Sequence, residues 1–194
     1  MKTIKKLLGI MTLIAIIATV AAPQAQAKKK RDPKKEAIEE LINKGNECYF
    51  KNDFEQAVKY YEEAHKKGDV RATNNLAMCY AGGEGVVQDY NMAFKLYEKA
   101  AKKGYVDSQV SLGTLYMNGQ GCKKDYKKAL KWLEKAAKQK DDIAAASDAM
   151  YLIGTCYYYG GNGIKKDIKK AKEWISKSAD LGNETAKENL PKLQ

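Results

Sequence analysis

The chain has 194 residues, with 35 Lys+Arg against 24 Asp+Glu, and a formal net charge of +11. That length allows one domain or at most two. One histidine, four scattered cysteines and no C-x-x-C pairing exclude a multi-histidine metal site, a paired-cysteine zinc site and a disulfide-rich miniature fold. The three prolines stand at 23, 33 and 191, so a long proline-free stretch rich in Ala, Lys, Glu and Leu favours helix throughout.

Residues 1–27 read as a leader. Lys2, Lys5 and Lys6 form a basic start, Leu7 to Ala22 is an uncharged, mostly apolar run of 16 residues, and Ala25-Gln26-Ala27 is a small-x-small cleavage site. The apolar run is short of the ~20 residues that a spanning helix needs. An uncleaved membrane anchor is the alternative. The order therefore predicts a signal peptide, export to the periplasm or the medium, and no transmembrane helix in the mature chain. Without the three leader lysines the charge of +11 becomes +8. Residues 28–35, opening with Lys28-Lys29-Lys30-Arg31, are expected to form a basic flexible arm. An exported basic chain has anionic envelope components as candidate contacts of its Lys-rich surface, and its compartment argues against nucleic acid. Lysine-rich helix surfaces also serve solubility alone.

Internal repetition dominates the rest of the chain. Leu76-Ala77, Tyr80, Gly83-x-Gly85-Val86, Asp89, Ala93, Tyr97 and Ala100-Ala101 form one segment. Leu112-Gly113, Tyr116, Gly119-x-Gly121-Cys122, Asp125, Ala129, Trp132 and Ala136-Ala137 form the second. Ile153-Gly154, Tyr157, Gly160-Gly161-x-Gly163-Ile164, Asp167, Ala171, Trp174 and Ser178-Ala179 form the third. The spacing is 36 residues from Asp89 to Asp125 and 42 from Asp125 to Asp167. One extra residue lies in the Gly160–Gly163 loop and the rest around Gln139 to Asp148, where Lys140 takes the place of Gly104 and Gly182.

Each segment reads as helix, glycine loop, helix. The three aspartates sit where a helix N-cap belongs. The small residues Ala77, Gly113, Gly154, Ala93, Ala129 and Ala171 let two helix axes approach. Val86, Cys122 and Ile164 are placed to plug each loop onto the pair below. Before these segments, Gly45, Phe54, Ala57, Tyr61 and Ala64 recur around a Lys51-Asn52-Asp53 turn with no G-x-G loop. Asp53 and Gln56 are spaced like a capping box.

The three segments resemble the Sel-one-like repeat (SLR), a subtype of the tetratricopeptide repeat (TPR), and the earlier segment resembles an ordinary TPR unit. The resemblance implies an all-α fold, a right-handed α-α superhelix (solenoid) of about four helix-turn-helix units. Over 36–190 these would be 36–70, 71–106, 107–142 and 143–182, with a closing helix at 183–190. In both families the first helix of each unit lines an inner groove. That implies inward side chains at Glu39, Ile42, Asn46, Tyr49 and Phe50; at Arg71, Asn74, Asn75, Met78 and Ala81; at Asp107, Val110, Thr114, Met117 and Asn118; and at Asp148, Tyr151, Thr155, Tyr158 and Tyr159. Amides suit a peptide backbone and aromatic rings give rigid contact area, so the expected ligand is a protein or peptide segment.

Three consecutive tyrosines cannot share one helix face. Tyr157 takes the core register, leaving Tyr158 and Tyr159 for the groove or the loop edge. Packing under the enlarged loop is the alternative. Some TPR proteins clamp a C-terminal carboxylate. Asn46 and Asn75 fall at the asparagine positions of that clamp, but Ile42, Asp107 and Ser111 fall at its basic positions, so the clamp is incomplete.

The resemblance implies a non-enzymatic adaptor of the envelope or the host interface. The alternatives are a β-lactam-binding or hydrolysing enzyme, as described for cysteine-rich SLR proteins, and a regulator of a cell-wall-processing enzyme. No Ser-x-x-Lys set is present, and alanine (Ala101, Ala137) stands where those proteins carry a cysteine late in the second helix. No phosphate-binding loop, catalytic set, cofactor or metal site is expected. His65 reads as a solvated surface histidine. Cys48 and Cys79 lie on neighbouring first helices and are close enough in the repeat to pair; buried free thiols are the other reading.

Overall fold

The computed structural model describes residues 32–193, so the expected signal peptide 1–27 and residues 28–31 of the arm lie outside the described residues. Two bodies are distinguished, one ending at Glu36 and one running from Ala37. In the first, Asp32 accepts from the backbone N–H of Lys34 at 3.0 Å, and its carbonyl accepts from Glu36 N–H. Helix α1 already starts at Pro33. The last residues of the expected arm are therefore helical, because proline suits a first helical turn whose N–H groups have no partner.

The second body is all-α, a right-handed α-α superhelix of four helix-turn-helix units. Its helices are α1 (Pro33–Phe50), from Ala37 onward, and α2 (Phe54–Lys66), α3 (Val70–Gly82) and α4 (Tyr90–Lys102), α5 (Val106–Asn118) and α6 (Tyr126–Ala136), α7 (Ile143–Tyr159) and α8 (Ile168–Asp180), and a short closing α9 (Glu184–Asn189). A 3₁₀ turn, Leu190–Lys192, holds Pro191. Each helix packs on the next in chain order from α2 to α9, and α5 also packs on α7. One continuous core runs from Ala57 to Cys156, with a smaller cluster at the front (Ile42, Ala64, Ala72) and another at the end (Ile175, Ala186, Leu193).

Local chemistry explains the joints. Asp89 accepts from the backbone N–H of Asn91 and Met92, Asp125 from Lys128 N–H and Asp167 from Lys170 N–H, so all three repeated aspartates cap a second helix. Asp53 caps α2 through Gln56 N–H. The small residues do close the helix pairs: Ala77, Ala93, Ala129 and Ala171 are fully buried. A Cβ on Gly113 would stand 2.6 Å from Leu133 Cγ, and one on Gly154 would stand 2.5 Å from Ile175 Cγ1.

The second glycine of each early loop serves the next joint along the array. Gly85 (φ +71°) lies against the Phe54 carbonyl and Gly121 (φ +67°) against the Tyr90 carbonyl. A loop of one unit thus sits on the first turn of the preceding unit's second helix, and Val86, Cys122 and Ile164 pack into the core from these loops. The inserted residues before unit four divide between the joint and the helix. The connection at 137–142 has six residues against three at 103–105, and α7 has 17 residues against 13 in α3 and α5, with Asp142 capping it through Ala145 N–H.

Polar contacts bridge the units as well. His65 is half-buried rather than solvated: its Nδ1 lies 2.8 Å from Thr73 Oγ1 and its Nε2 lies 3.3 Å from Lys99 Nζ. Thr73 donates its own hydroxyl to the Asp69 carbonyl at 2.7 Å. The ring must therefore carry its proton on Nδ1 and accept from the lysine through Nε2. Burial, then Lys99 and Lys103, push the His65 pKa below its ordinary value. All four cysteines are free thiols. Cys79 and Cys156 are fully buried, and burial pushes their pKa values up to about 11 and about 12.

Candidate functional site

The first helices of units one and two frame an open depression of about 480 Å³. Asn46, Tyr49, Phe50, Asn75 and Met78 line it, together with Ile42, Glu39 and Arg71. Eight of the twenty side chains expected to face inward therefore meet in one place.

A ladder of amides forms its floor. Tyr61 donates to Asn46 Oδ1 at 2.9 Å, and Asn75 Nδ2 donates to the same oxygen at 3.1 Å. Asn74 Nδ2 contacts Asn75 Oδ1 at 3.4 Å, and Ser108 donates to Asn74 Oδ1 at 2.8 Å. The ladder thus links units one, two and three, and it uses Asn46 only as an acceptor. Above it stand two apolar side chains in water, Phe50 at 84% exposure and Met78 at 41%.

One wall is held by charge. Arg71 donates to both oxygens of Glu39 at 3.0 and 2.7 Å and to Asp69 Oδ2 at 3.2 Å. The Glu39 hydrogen bonds hold the guanidinium pKa above its ordinary value. This cation is neutralised where it stands and offers no unpaired charge to a ligand carboxylate. Tyr49 donates to Glu84 Oε2 at 2.7 Å, which ties the Gly83–Gly85 loop to α1, and that bond raises its pKa to about 12. Its ring meets Phe54 edge-on, with centroids 5.1 Å apart.

The other expected residues stand elsewhere. Asn74 and Met117 do not offer open surface: at 4% and 8% exposure they are buried, Asn74 in the ladder and Met117 in the core. Thr114 and Thr155 turn their hydroxyls back to the carbonyls of Val110 and Tyr151. Asn118 is exposed and donates to Gln120 Oε1 at 3.3 Å. Tyr151 and Tyr158 pack against the closing segment, and Tyr151 OH accepts from Asn189 Nδ2 at 3.0 Å. Tyr159 is the exposed member of the tyrosine run, at 68%, and Tyr157 packs on the core.

Sequence reasoning missed Asn43, Tyr61 and Tyr105 as lining residues. Tyr61 read only as a repeat position, yet it is buried, and a buried tyrosine hydroxyl needs a partner, which here is Asn46. Tyr105 lies in the turn before α5, where helical periodicity says nothing. Burial raises its pKa to about 12.

The incomplete carboxylate clamp stays incomplete in space. Ile42 is buried at 3% exposure and belongs to the front cluster. The site presents amide acceptors and donors, two apolar anchors and paired charges. That chemistry suits an uncharged extended segment. Among the described residues, no group of three or more His, Cys, Asp or Glu is placed to hold a metal, and no helix is long and apolar enough to cross a membrane.

Comparison with known proteins agrees with the fold. The family model for the Sel1 repeat matches residues 42–69, 70–105, 106–141 and 147–183, so the match includes the first unit despite its short turn. A Sel1 repeat protein from Oxalobacter formigenes superposes with a TM-score of 0.70 at 31% identity, covering 80% of this chain and 62% of that one. c5321, a protective antigen present in uropathogenic Escherichia coli strains and displaying an SLR fold, superposes with a TM-score of 0.51 at 25% identity, covering 79% of this chain and 40% of that one. The chain thus spans less than two thirds of the length of either protein.

Proposed function

We infer, for a chain that belongs to the Sel1 repeat family, whose members are generally protein-interaction adaptors, that its α1–α3 depression binds an extended protein segment. The adaptor is non-enzymatic, and the fold is typically so. The leader pattern in residues 1–27 supports export, which places the partner in the envelope or at a host surface. The supporting observation is the juxtaposition of Phe50 and Met78, both exposed, over the Asn46–Asn75 amide pair. An apolar side chain of the ligand packs on the first two, and its backbone amides meet the second. Paired Arg71 and the absence of a cation at Ile42, Asp107 and Ser111 favour an internal segment over a free C-terminal carboxylate.

Crosslinking and capture from an envelope extract test this reading, comparing the parent with Phe50→Ala/Met78→Ala and with Asn75→Ala. Truncating a central anchor typically costs about 1–2 kcal/mol or more, so capture weakens about tenfold in each variant. Tyr159→Ala, at the other end of the array, leaves it unchanged. Undiminished capture by both variants refutes the site.

A further inference from the structure

The charge of this protein is sorted by helix. In units two to four the first helix carries a single charged residue: Arg71 in α3, Asp107 in α5 and Asp148 in α7. The second helices of units three and four, with their approaches, are densely basic. Lys123 to Lys140 holds eight lysines against two carboxylates, and Lys165 to Asp180 holds six against three. Among the described residues, the ion pairs within 4 Å made by these fourteen lysines are Lys128–Asp125 at 3.7 Å and Lys170–Asp167 at 3.8 Å. In unit one, by contrast, Lys44, Lys51, Lys66 and Lys67 each pair with a glutamate four residues earlier.

The excess is also ordered. Lys128 lies over the Tyr116 ring at 5.5 Å, and its counterpart Lys170 lies over Tyr157 at 5.2 Å. Lys135 lies over Trp132 at 4.2 Å, and its counterpart Lys177 lies over Trp174 at 4.7 Å. The same two contacts thus recur in two successive units. Unit two cannot make them, because Met92 and Leu96 stand at those positions. The Lys127 side chain reaches the Gly163 loop of unit four, which joins the two sets. A depression of about 370 Å³ lies within this face, lined by Lys128, Lys131, Trp132, Lys135 and Lys138, with Glu134 the one carboxylate among them.

We propose that the outward face of α6 and α8 is a second binding surface, separate from the peptide site, whose occupant is a flexible linear polyanion bearing phosphate groups. Four considerations select it. A run of like charges with few counter-charges is relieved by a multiply charged anion that displaces small ions. All fourteen cations are lysines, compact hydrated charges without the planar fork of arginine, so they read charge density and not geometry. One face of each ring is taken by the protein's own ammonium groups, which compete there with the stacking of nucleobases or sugars. No large apolar side chain is exposed between 123 and 140 or between 165 and 180, so the face lacks the wedge with which an interfacial helix enters a bilayer.

The test is binding of labelled long-chain linear polyphosphate to the purified protein across a salt series. Two variants lose the same charge: Lys131→Gln/Lys135→Gln/Lys138→Gln/Lys177→Gln on the proposed face, and Lys44→Gln/Lys59→Gln/Lys66→Gln/Lys102→Gln on units one and two. All eight positions are exposed, and circular dichroism melts check that both variants fold. Each engaged lysine contributes about 0.7–0.9 to the slope of log affinity against log salt. The first variant therefore loses about 3 from that slope, so a fourfold rise in salt weakens the parent about sixtyfold more than the variant. The second variant keeps the parent slope. Equal losses in both variants overturn the assignment, as does an absence of binding at low salt. Tighter binding to phosphatidylglycerol vesicles than to polyphosphate overturns it in favour of a membrane. Tighter binding to a single-stranded oligonucleotide at equal charge shows that bases win that competition for the rings and overturns it too.

Discussion

Gly121 and Gly104 both adopt positive φ, at +67° and +90°, yet they stand in opposite surroundings. A Cβ on Gly104 would meet nothing within 4 Å, whereas one on Gly121 would strike the backbone carbonyl of Tyr90, at the first turn of α4. Replacing either by alanine forces an L residue into the left-handed region, at roughly 1–2 kcal/mol. The narrower unfolded ensemble of alanine offsets about 0.4–1 kcal/mol of that in both. Gly104→Ala is therefore expected to lose about 1 kcal/mol. Gly121→Ala must in addition push the unit-three loop off the preceding unit, and backbone cannot swing aside as a side chain can. Overpacking of this kind adds about 1–3 kcal/mol, for a total of about 2–4 kcal/mol. Urea unfolding followed by circular dichroism measures both. If the loop holds adjacent units together, the Gly121→Ala midpoint falls well below that of Gly104→Ala. Equal midpoints would refute the idea that the G-x-G loop is an inter-unit contact and would leave it a local turn.

Ser108→Ala removes the donor to Asn74 Oδ1 in a fully buried setting. An orphaned buried acceptor costs about 1–3 kcal/mol, seen as a melting temperature several degrees lower, while Asn118→Ala at the exposed Gln120 contact moves it little. His65 has its pKa depressed in the folded chain by burial and by Lys99 and Lys103. The unfolded chain therefore binds its proton first as the solution is acidified. The contribution of His65 is full above about pH 6.5, the ordinary histidine value, and is lost as pH falls through the lower folded value. Melting temperatures between about pH 7.5 and 5, the range spanning histidine titration, should decline in the parent and decline less in His65→Gln; parallel curves would exclude the histidine as the cause. Iodoacetamide at about pH 8, near the ordinary thiol pKa, should label the partly exposed Cys48 and Cys122 in the native protein and reach Cys79 and Cys156 only on unfolding, because the latter two are fully buried. Peptide mapping by mass spectrometry reads the order.

The repeat was legible because its determinants are local. A cap such as Asp125 needs only the N–H of Lys128, three residues on. A small residue such as Ala129 declares a close helix pair wherever it recurs in register. The site was legible in part, for the same reason and with the same limit. Helical spacing put Asn46, Tyr49, Phe50, Asn75 and Met78 on first helices, and they do meet. Spacing did not separate Asn74 from Asn75. Neighbours on a helix diverge by about 100°, and only the position of Ser108, 34 residues away, turns one amide inward and leaves the other beside Asn46. Likewise Tyr151 and Tyr158 lie on the expected helix, but the closing segment packs over them.

From its sequence alone this protein is a chain of capped helical hairpins, with sparsely charged first helices in units two to four and lysine-laden second helices in units three and four, since period, cap and charge are set by residues within one or two turns of each other. Which amides join into a ladder, which tyrosines are roofed, that His65 bridges two units, and how the unit-four insertion divides between joint and helix were decided only by tertiary structure. Each depends on a partner from another unit, and the direction in which a side chain meets such a partner follows from how the hairpins stack.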